Sequence, residues 1–194
     1  DGHTLYFIST SSLITQALHS DYPLDLMKLS PVSEVATGPL ILVAKNGLGI
    51  KTVNELIDLA KKNPGKLSYG SFGNGTTAHF AGEMLKSQAG IFVVHIPYRG
   101  TGLVITDLVA GQIAFLMDSV VSAQTHIRDG KVKPLAVTGT KRSQSLPQVP
   151  TFAEVGIEGM NISNWFGILG PAAMPADVAA RINREVNAAL KAPD

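Results

Sequence analysis

Strand-like and helix-like segments alternate through the middle of the chain. Short apolar runs are predicted as strands at Leu67–Tyr69, Ile91–Ile96, Ile113–Met117 and Pro134–Val137, and a segment long enough for a helix separates each from the next. Parallel strands need such crossovers, whereas antiparallel strands can be joined by a tight turn. The alternation therefore predicts βαβ units, mostly parallel sheets flanked by helices, and an α/β class of fold.

Capping signals mark the ends of several predicted helices. Thr52 and Glu55 have the spacing of a capping box, and Pro64-Gly65 ends the helix that they begin. Thr151 and Glu154 repeat the pattern at a short turn that ends at Gly156. Further helices are predicted at Leu13–Leu18, Thr77–Ala89, Leu103–Ala110, Ser119–Ile127 and from Pro175, and further strands at Leu5–Ile8, at Leu40–Val43 after a break at Gly38-Pro39, and at Ser163–Leu169.

The composition is that of a core-rich globular protein. Apolar residues make up 45% of the 194 residues and charged residues only 16%, which disfavours disorder. A net charge of +1 without a basic tail argues against nucleic acid as a partner. The absence of cysteine excludes disulfides and thiolate metal sites, and the histidines show no metal-ligand spacing. We therefore predict no metal and no cofactor.

Two features concern the membrane and the start of the chain. The longest apolar run, around Pro39 to Ala44, is far shorter than a bilayer requires, so the chain is predicted not to span a membrane. The first four residues lack the basic and apolar regions of a signal peptide and lead directly into the predicted strand Leu5–Ile8. We expect a chain that enters a domain partway through and is part of a longer protein.

A loop rich in glycine and hydroxyl groups joins the strand ending at Tyr69 to the helix beginning at Thr77. Unpaired N–H groups and the helix dipole at such a position favour a carboxylate or a phosphate. An ordinary turn capped by Thr76 or Thr77 is the alternative. No Gly-Lys-Ser/Thr follows, as a Walker loop requires, and Ala78 replaces the third glycine of a dinucleotide fingerprint.

The same loop could instead hold a nucleophile. Ser71 and His79 would be the partners, but Gly70-Ser71-Phe72-Gly73 misses the nucleophile-elbow spacing by one residue. No acidic residue lies close enough in sequence to orient a histidine. Placement of His79 in the first helical turn, where it caps, packs or touches a ligand, is therefore favoured over catalysis.

Three further loops follow predicted strands. They are Thr10-Ser11-Ser12, Pro97 to Thr101, and Asp118-Ser119. Ligands of open α/β sheets bind outside the carboxyl ends of the strands, so these loops could line one cleft. Each also has a plain structural interpretation: Ser11 and Ser12 as a turn, Arg99 as a solvated charge, and Asp118 as a helix N-cap.

The order of motifs resembles the substrate-binding proteins of tripartite tricarboxylate transporters, the Bug receptors. The resemblance covers nearly the whole chain. It rests on Asp1-Gly2-x-Thr4-Leu5, Asn63-Pro64-Gly65-Lys66-Leu67-x-Tyr69-Gly70-Ser71, Gly73-Asn74-Gly75, His79, Ala81-Gly82-Glu83, His95-Ile96-Pro97-Tyr98-Arg99-Gly100, Asp107-Leu108, Gly111-Gln112, Leu135-Ala136-Val137-Thr138, Lys141-Arg142-Ser143, Leu146-Pro147-x-Val149-Pro150-Thr151, Trp165-Phe166-Gly167 and Pro171.

This resemblance implies a two-lobed, type II periplasmic-binding-protein fold. The implied function is that of a periplasmic receptor, not an enzyme, which closes on a small organic carboxylate and delivers it to membrane permease subunits. Residues 44–162 would form the second lobe, and residues 1–43 with 163–194 the first. The implied ligand-binding residues are Ser71, Gly73, Asn74, Gly75, Thr76, Thr77 and His79 in the second-lobe loop, Ser11 and Ser12 on the first lobe, and Asp118 and Ser119 deeper in the cleft.

One departure from the family concerns the first lobe. Family members carry a further segment ahead of the Asp-Gly-x-Thr-Leu motif and continue past the position of Asp194. The first lobe is therefore expected to be incomplete, with half of the carboxylate site missing and an exposed sheet edge that favours dimerisation. The alternatives are the effector-sensing domain of a transcription regulator with the same bilobal fold, for which no DNA-binding segment is present, and an enzyme that uses Ser71 or His79.

Overall fold

The computed structural model describes residues 4–192. Five residues lie outside the described part of the chain: Asp1, Gly2, His3, Pro193 and Asp194. The Asp-Gly pair of the first family motif is among them. The strands are β1 (Tyr6–Ser9), β2 (Ser30–Lys45), β3 (Ser68–Ser71), β4 (Val94–Pro97), β5 (Phe115–Ser119), β6 (Val132–Val137) and β7 (Ser163–Gly170). The α-helices are α1 (Thr10–Leu18), α2 (Val53–Lys62), α3 (Thr77–Ala89), α4 (Thr101–Val109), α5 (Val120–Arg128) and α6 (Ala176–Ala189), with 3₁₀ turns at Leu26–Lys28 and Ala153–Val155.

The chain divides into two compact units, Asp1–Thr37 with Asn164–Asp194, and Gly38–Ser163. In the first unit, β7 pairs with both β2 and β1. The pairing with β1 is antiparallel, with a register from Tyr6↔Leu169 to Ser9↔Phe166. A hydrogen bond connects helix α6 to β2: the Asn183 side-chain amide donates to the Val32 carbonyl at 2.7 Å. The antiparallel β1–β7 pair departs from the predicted parallel arrangement.

Helix α1 begins earlier than the sequence predicts. The prediction placed a polar turn at residues 9–12 and a helix from Leu13, but the helix starts at Thr10 with Ser9 as its N-cap. The Ser9 amide donates to the Ser12 side chain at 3.4 Å. Ser11 and Ser12 therefore lie in the first helical turn, where hydroxyl groups are accommodated by capping the preceding backbone.

The second unit combines parallel and antiparallel strand pairings, whereas the sequence predicted mostly parallel ones. β3 pairs in parallel with β4 and with β5, while β2 pairs antiparallel with β5 and with β6. It follows that β3, β4, β5 and β6 all run in one direction and β2 runs in the other. Strand β2 also passes through Gly38-Pro39 without the predicted break.

Both faces of the sheet are buried in the second unit, as the continuous apolar run of β2 indicates. Leu40, Leu42 and Ala44 pack in one hydrophobic cluster, whose helical residues come from α2 and α3. Ile41 and Val43 pack in the other cluster, with α4 and α5. The predicted capping boxes are confirmed at α2, where the Glu55 amide donates to Thr52 Oγ1 at 3.2 Å, and at Thr151 and Glu154.

Several of the predicted boundaries at the site are shifted. The strand predicted at Leu67–Tyr69 spans Ser68–Ser71, and the one predicted at Ile113–Met117 spans Phe115–Ser119. Strand β4 begins at Val94 rather than Ile91, and α4 begins at Thr101 rather than Leu103. Ile91 and Val93 are buried although they pair with no strand, which explains why their apolar character resembled strand sequence. None of the described helices combines the length and the apolarity needed to cross a membrane.

Candidate functional site

The carboxyl ends of three strands meet at one edge of the second unit's sheet. Ser71 at the end of β3 pairs with Pro97 at the end of β4, and β5 runs parallel to β3 and ends at Ser119. The ends of these strands and the loops that follow β3 and β4 are therefore neighbours, as predicted for residues 71–79 and 97–101. Asp118 and Ser119, predicted as a loop, are instead the last two residues of β5, and α5 follows them directly. This is the edge at which open α/β sheets bind ligands.

The loop from Ser71 to Thr76 is shaped by its own hydroxyl groups. Ser71 Oγ accepts from the Gly73 amide at 3.2 Å and lies 3.0 Å from the Gly73 carbonyl. Thr76 Oγ1 donates to the same carbonyl at 2.8 Å and accepts from the His79 amide at 3.4 Å. Thr76, not Thr77, is therefore the N-cap of α3, and positive φ values of 137° at Gly73 and 74° at Gly75 require glycine there.

A column of four aromatic rings lies behind this loop. The His79 and His95 imidazoles stack with their centroids 4.0 Å apart and their planes 8° from parallel. His95 in turn stacks on Tyr69 at 4.8 Å, and Tyr69 stacks on Phe115 at 5.5 Å. The column runs from the loop to the buried Phe115, so the position of the loop depends on the packing of the core.

Both ends of the loop are hydrogen-bonded to the imidazoles of this ring column. Ser71 Oγ lies 2.7 Å from His95 Nε2, and the Gly75 amide donates to His79 Nδ1 at 3.2 Å. Burial, together with the nearby His79, lowers the pKa of His95 to about 4. His95 is therefore neutral at neutral pH.

Below the rings, the Tyr69 hydroxyl donates to Glu83 Oε1 at 2.7 Å. Lys86 Nζ donates to both oxygens of the same carboxylate at 2.8 Å. Burial raises the pKa of Tyr69, with the Glu83 carboxylate as a second cause. Burial alone would raise the pKa of Glu83 as well, but hydrogen bonds from Lys86 and Tyr69 hold it below its usual value. Glu83 is therefore ionised, and the Lys86 ammonium compensates its negative charge.

Asp118 lies at the end of β5 and is 1% exposed. Its Oδ1 accepts from the Ser119 amide at 2.7 Å, and its Oδ2 has no hydrogen-bond partner among the described residues. Burial raises the pKa of Asp118 to about 6. The N-cap of α5 is Ser119, whose Oγ accepts from the Ser122 amide at 3.1 Å, so the N-cap interpretation of Asp118 is wrong.

The predicted site residues differ in how accessible they are. Ser71, Gly75, Thr77 and Asp118 are buried, and Asn74 is exposed. The half-buried ones are Gly73, Thr76, His79, Ser119, Ser11 and Ser12. The seven predicted residues of the second-lobe loop are thus brought together, with Asp118 and Ser119 at the same sheet edge, whereas Ser11 and Ser12 belong to the first unit.

The sequence interpretation missed His95. It paired Ser71 with His79, but the imidazole within hydrogen-bond distance of Ser71 is that of His95. The signal that could have located it is the strand register, since β3 and β4 pair in parallel with Tyr69 opposite His95. No carboxylate hydrogen-bonds to His95 in the described part of the chain, so the group that orients the histidine of a Ser-His-Asp triad has no counterpart. Residues 4–192 also contain no cluster of three or more His, Asp or Glu side chains arranged to hold a metal ion.

Known proteins match this chain over its full length. A family model described as "Tripartite tricarboxylate transporter family receptor" matches residues 1–194. A UPF0065 protein from the tcbD-tcbE intergenic region of a Pseudomonas species is 37% identical, over 100% of this chain and 58% of the relative. Protein BugT of Bordetella pertussis is 31% identical, over 98% of this chain and 60% of the relative. The chain thus spans less than two thirds of either relative.

Solved structures share the fold. One described as a periplasmic transporter has a TM-score of 0.92 and 33% identity, over 100% of this chain and 65% of that one. Rpa4515 of R. palustris with adipate has a TM-score of 0.79 and 30% identity, over 84% and 55%. MatC of Rhodopseudomonas palustris with bound malate has a TM-score of 0.90 and 27% identity, over 99% and 66%. These similarities confirm the predicted α/β fold of periplasmic-binding type.

Proposed function

Because this chain belongs to the tripartite tricarboxylate transporter receptor family, we propose that it is part of an extracytoplasmic receptor that binds a small organic carboxylate. In this proposal the receptor delivers its ligand to the membrane permease subunits of a tripartite transporter and does not transform it. Two relatives with the same fold hold dicarboxylates, adipate and malate. This supports a dicarboxylate as the first ligand class to test.

The observation that carries the proposal is the loop from Ser71 to His79 at the N-terminus of α3. The 13-residue helix presents backbone N–H groups and the positive end of its dipole to the carboxyl edge of the sheet. Glycine at positions 73 and 75, where φ is positive, leaves the loop backbone without side chains, and Gly73 is half-buried. A carboxylate fits this arrangement because it accepts several N–H bonds at once.

The hydroxyl groups of the loop have distinct roles in this proposal. Thr76 is half-buried, so its Oγ1 can exchange the bond to the Gly73 carbonyl for a bond to ligand. Ser71 is fully buried and bonded on both sides, so it shapes the loop. The absence of a carboxylate bonded to His95 in the described residues supports binding over nucleophilic catalysis.

The direct test is thermal unfolding and calorimetry of the chain with adipate and malate, using the neutral diamide of adipate as the matched ligand control. A carboxylate at 100 times its dissociation constant stabilises by about 2.7 kcal/mol, or about 5 to 10 °C for a chain of this size. The diamide is expected to give no shift. Failure of a panel of di- and tricarboxylates to bind would refute carboxylate binding by this chain.

A pair of N-cap variants tests the location of the site. Thr76→Val removes the N-cap of α3 and Thr52→Val removes the N-cap of α2. Each is expected to cost about 1 kcal/mol of unfolding free energy. Only Thr76→Val is expected to weaken carboxylate binding, and equal affinities of the two variants would place the ligand elsewhere.

A further inference from the structure

The stacked imidazoles of His79 and His95 hold the two ends of the proposed ligand loop. His95 Nε2 lies 2.7 Å from Ser71 Oγ at the start of the loop, and His79 Nδ1 accepts from the Gly75 amide at 3.2 Å near its end. Because the rings stack at 4.0 Å, a movement of one ring moves the other. Gly73 and Asn74 lie between these two anchors, and Thr76, the proposed ligand contact, directly follows the second.

The bond at Gly75 fixes the protonation state of His79. A backbone N–H can only donate, so Nδ1 must offer a lone pair and the ring proton must reside on Nε2. Nε2 faces Glu83 Oε1 at 4.0 Å, which suits a proton on that nitrogen. A second proton on Nδ1 would set two donors against each other at Gly75.

We propose that His79 is a positioning residue whose neutral imidazole holds the carboxylate loop in its binding shape, and that protonation of this ring releases the loop. The inference rests on the proposed function for its ligand. It assigns His79 an indirect role, through the Gly75 amide, rather than a direct bond to the carboxylate.

The charged and titratable groups around His79 come from three elements. Glu83 lies on α3, as does Lys86, which bonds to Glu83. His95 lies on β4 and Tyr69 lies on β3. Lys86 and Tyr69 both donate to the Glu83 carboxylate, whose Oε1 lies 4.0 Å from His79 Nε2. His95, whose pKa is lowered to about 4, is neutral over the pH range of the test and adds no charge beside His79.

The expected consequence is opposite to that of simple charge attraction. An added positive charge on His79 would strengthen carboxylate binding if its field alone mattered. Loss of the Gly75 bond removes the ordered amide instead, so we expect affinity to fall as pH decreases through the titration of His79. The sign of the pH dependence therefore separates a positioning role from direct electrostatic contact.

The first test needs no ligand. Nuclear magnetic resonance from about pH 8 to about pH 5 would follow the His79 ring carbons and the Gly75 amide in the wild-type chain. The amide is expected to shift with the midpoint of the His79 ring, and His19→Asn, which changes an exposed histidine, is expected to leave that coupling intact. A Gly75 amide that does not follow His79 overturns the inference.

The second test compares two substitutions of His79. The side-chain oxygen of His79→Asn takes the place of Nδ1 as acceptor but cannot be protonated, whereas His79→Gln reaches the place of Nε2 and offers no acceptor to Gly75. In His79→Gln, hydrogen exchange at the Gly75 amide is expected to accelerate about threefold to tenfold. In His79→Asn, the part of the pH dependence of this exchange that comes from protonation of the imidazole is expected to disappear. Equal exchange in the two variants counts against the inference.

Adipate affinity at high and low pH completes the test. Wild type is expected to bind about threefold or more weakly on the low-pH side, and His79→Asn is expected to lose that difference, since protonation of adipate itself affects both proteins equally. If wild type binds no carboxylate, the proposed function fails while the Gly75 titration still decides whether His79 holds the loop. If adipate binds and both variants follow the wild-type pH profile, the proposed function stands and the role of His79 is refuted.

Discussion

The packing of Gly82 against Tyr69 provides a sharp test of the ring column. A Cβ atom at Gly82 would lie 2.2 Å from Tyr69 Cε2, 2.6 Å from Cζ and 2.9 Å from Cδ2. Tyr69 is fully buried, stacked on both faces, and fixed by its bond to Glu83. We therefore expect Gly82→Ala to destabilise the protein, although alanine favours helices over glycine.

The magnitude follows from two opposing terms. Carbon atoms pack at about 3.5 to 4.0 Å, so the ring must move by more than 1 Å, and overpacking of this kind costs about 1 to 3 kcal/mol or more. The gain in helix propensity is at most about 1 kcal/mol. Because the contact of 2.2 Å is severe, the cost is expected at the upper end of its range, and the net loss of unfolding free energy at about 2 kcal/mol.

Gly102→Ala is the matched control. Gly102 also lies in a helix, α4, but a Cβ there meets nothing within 4 Å. The same substitution is expected to stabilise the protein slightly, by about 0.5 kcal/mol. Urea denaturation of both variants measures the difference, and a Gly82→Ala chain as stable as Gly102→Ala would refute the rigid ring column.

Three further predictions concern single groups. Tyr69→Phe removes the hydroxyl bonded to Glu83 and keeps the ring column, so we expect the free energy of unfolding in urea to fall by about 1 to 2 kcal/mol; an unchanged value contradicts this. Because burial raises the pKa of Asp118 to about 6, its contribution to stability is fully present below about pH 4 and is lost as pH rises through about 6, and Asp118→Asn should flatten that slope in urea unfolding across the same pH range. Because burial lowers the pKa of His95 to about 4, its contribution is present above about pH 6.5 and is lost as pH falls toward 4; a ring-carbon titration midpoint near 6.5 would contradict this.

Local signals located the helices of the second unit well. The α2 boundaries follow from Thr52 and Glu55, whose capping bonds connect residues only three apart. The sequence likewise limits the N-cap of α3 to Thr76 or Thr77, because the capping bond from the His79 amide also spans only three residues. Such bonds are visible in sequence because both partners lie in one turn of chain.

The features that sequence could not supply depend on distant partners. His95 lies 24 residues from Ser71, and only the register of β3 with β4 brings the two together. Strand β2 continues through Gly38-Pro39, although this dipeptide is typical of a turn. The direction of β2 is likewise set by its pairing with β5 and β6, which no local pattern encodes.

The predicted pH effects at Asp118 and His95 act in opposite directions over nearly the same interval. As pH falls from about 6.5 to about 4, the contribution of Asp118 to stability increases and that of His95 decreases. The two partly cancel in the wild-type chain, so single variants are needed to reveal each slope. Carboxylate affinity over the same interval also depends on protonation of the ligand. The comparison of wild type with His79→Asn, rather than the wild-type pH profile alone, therefore tests the Gly75 bond to His79.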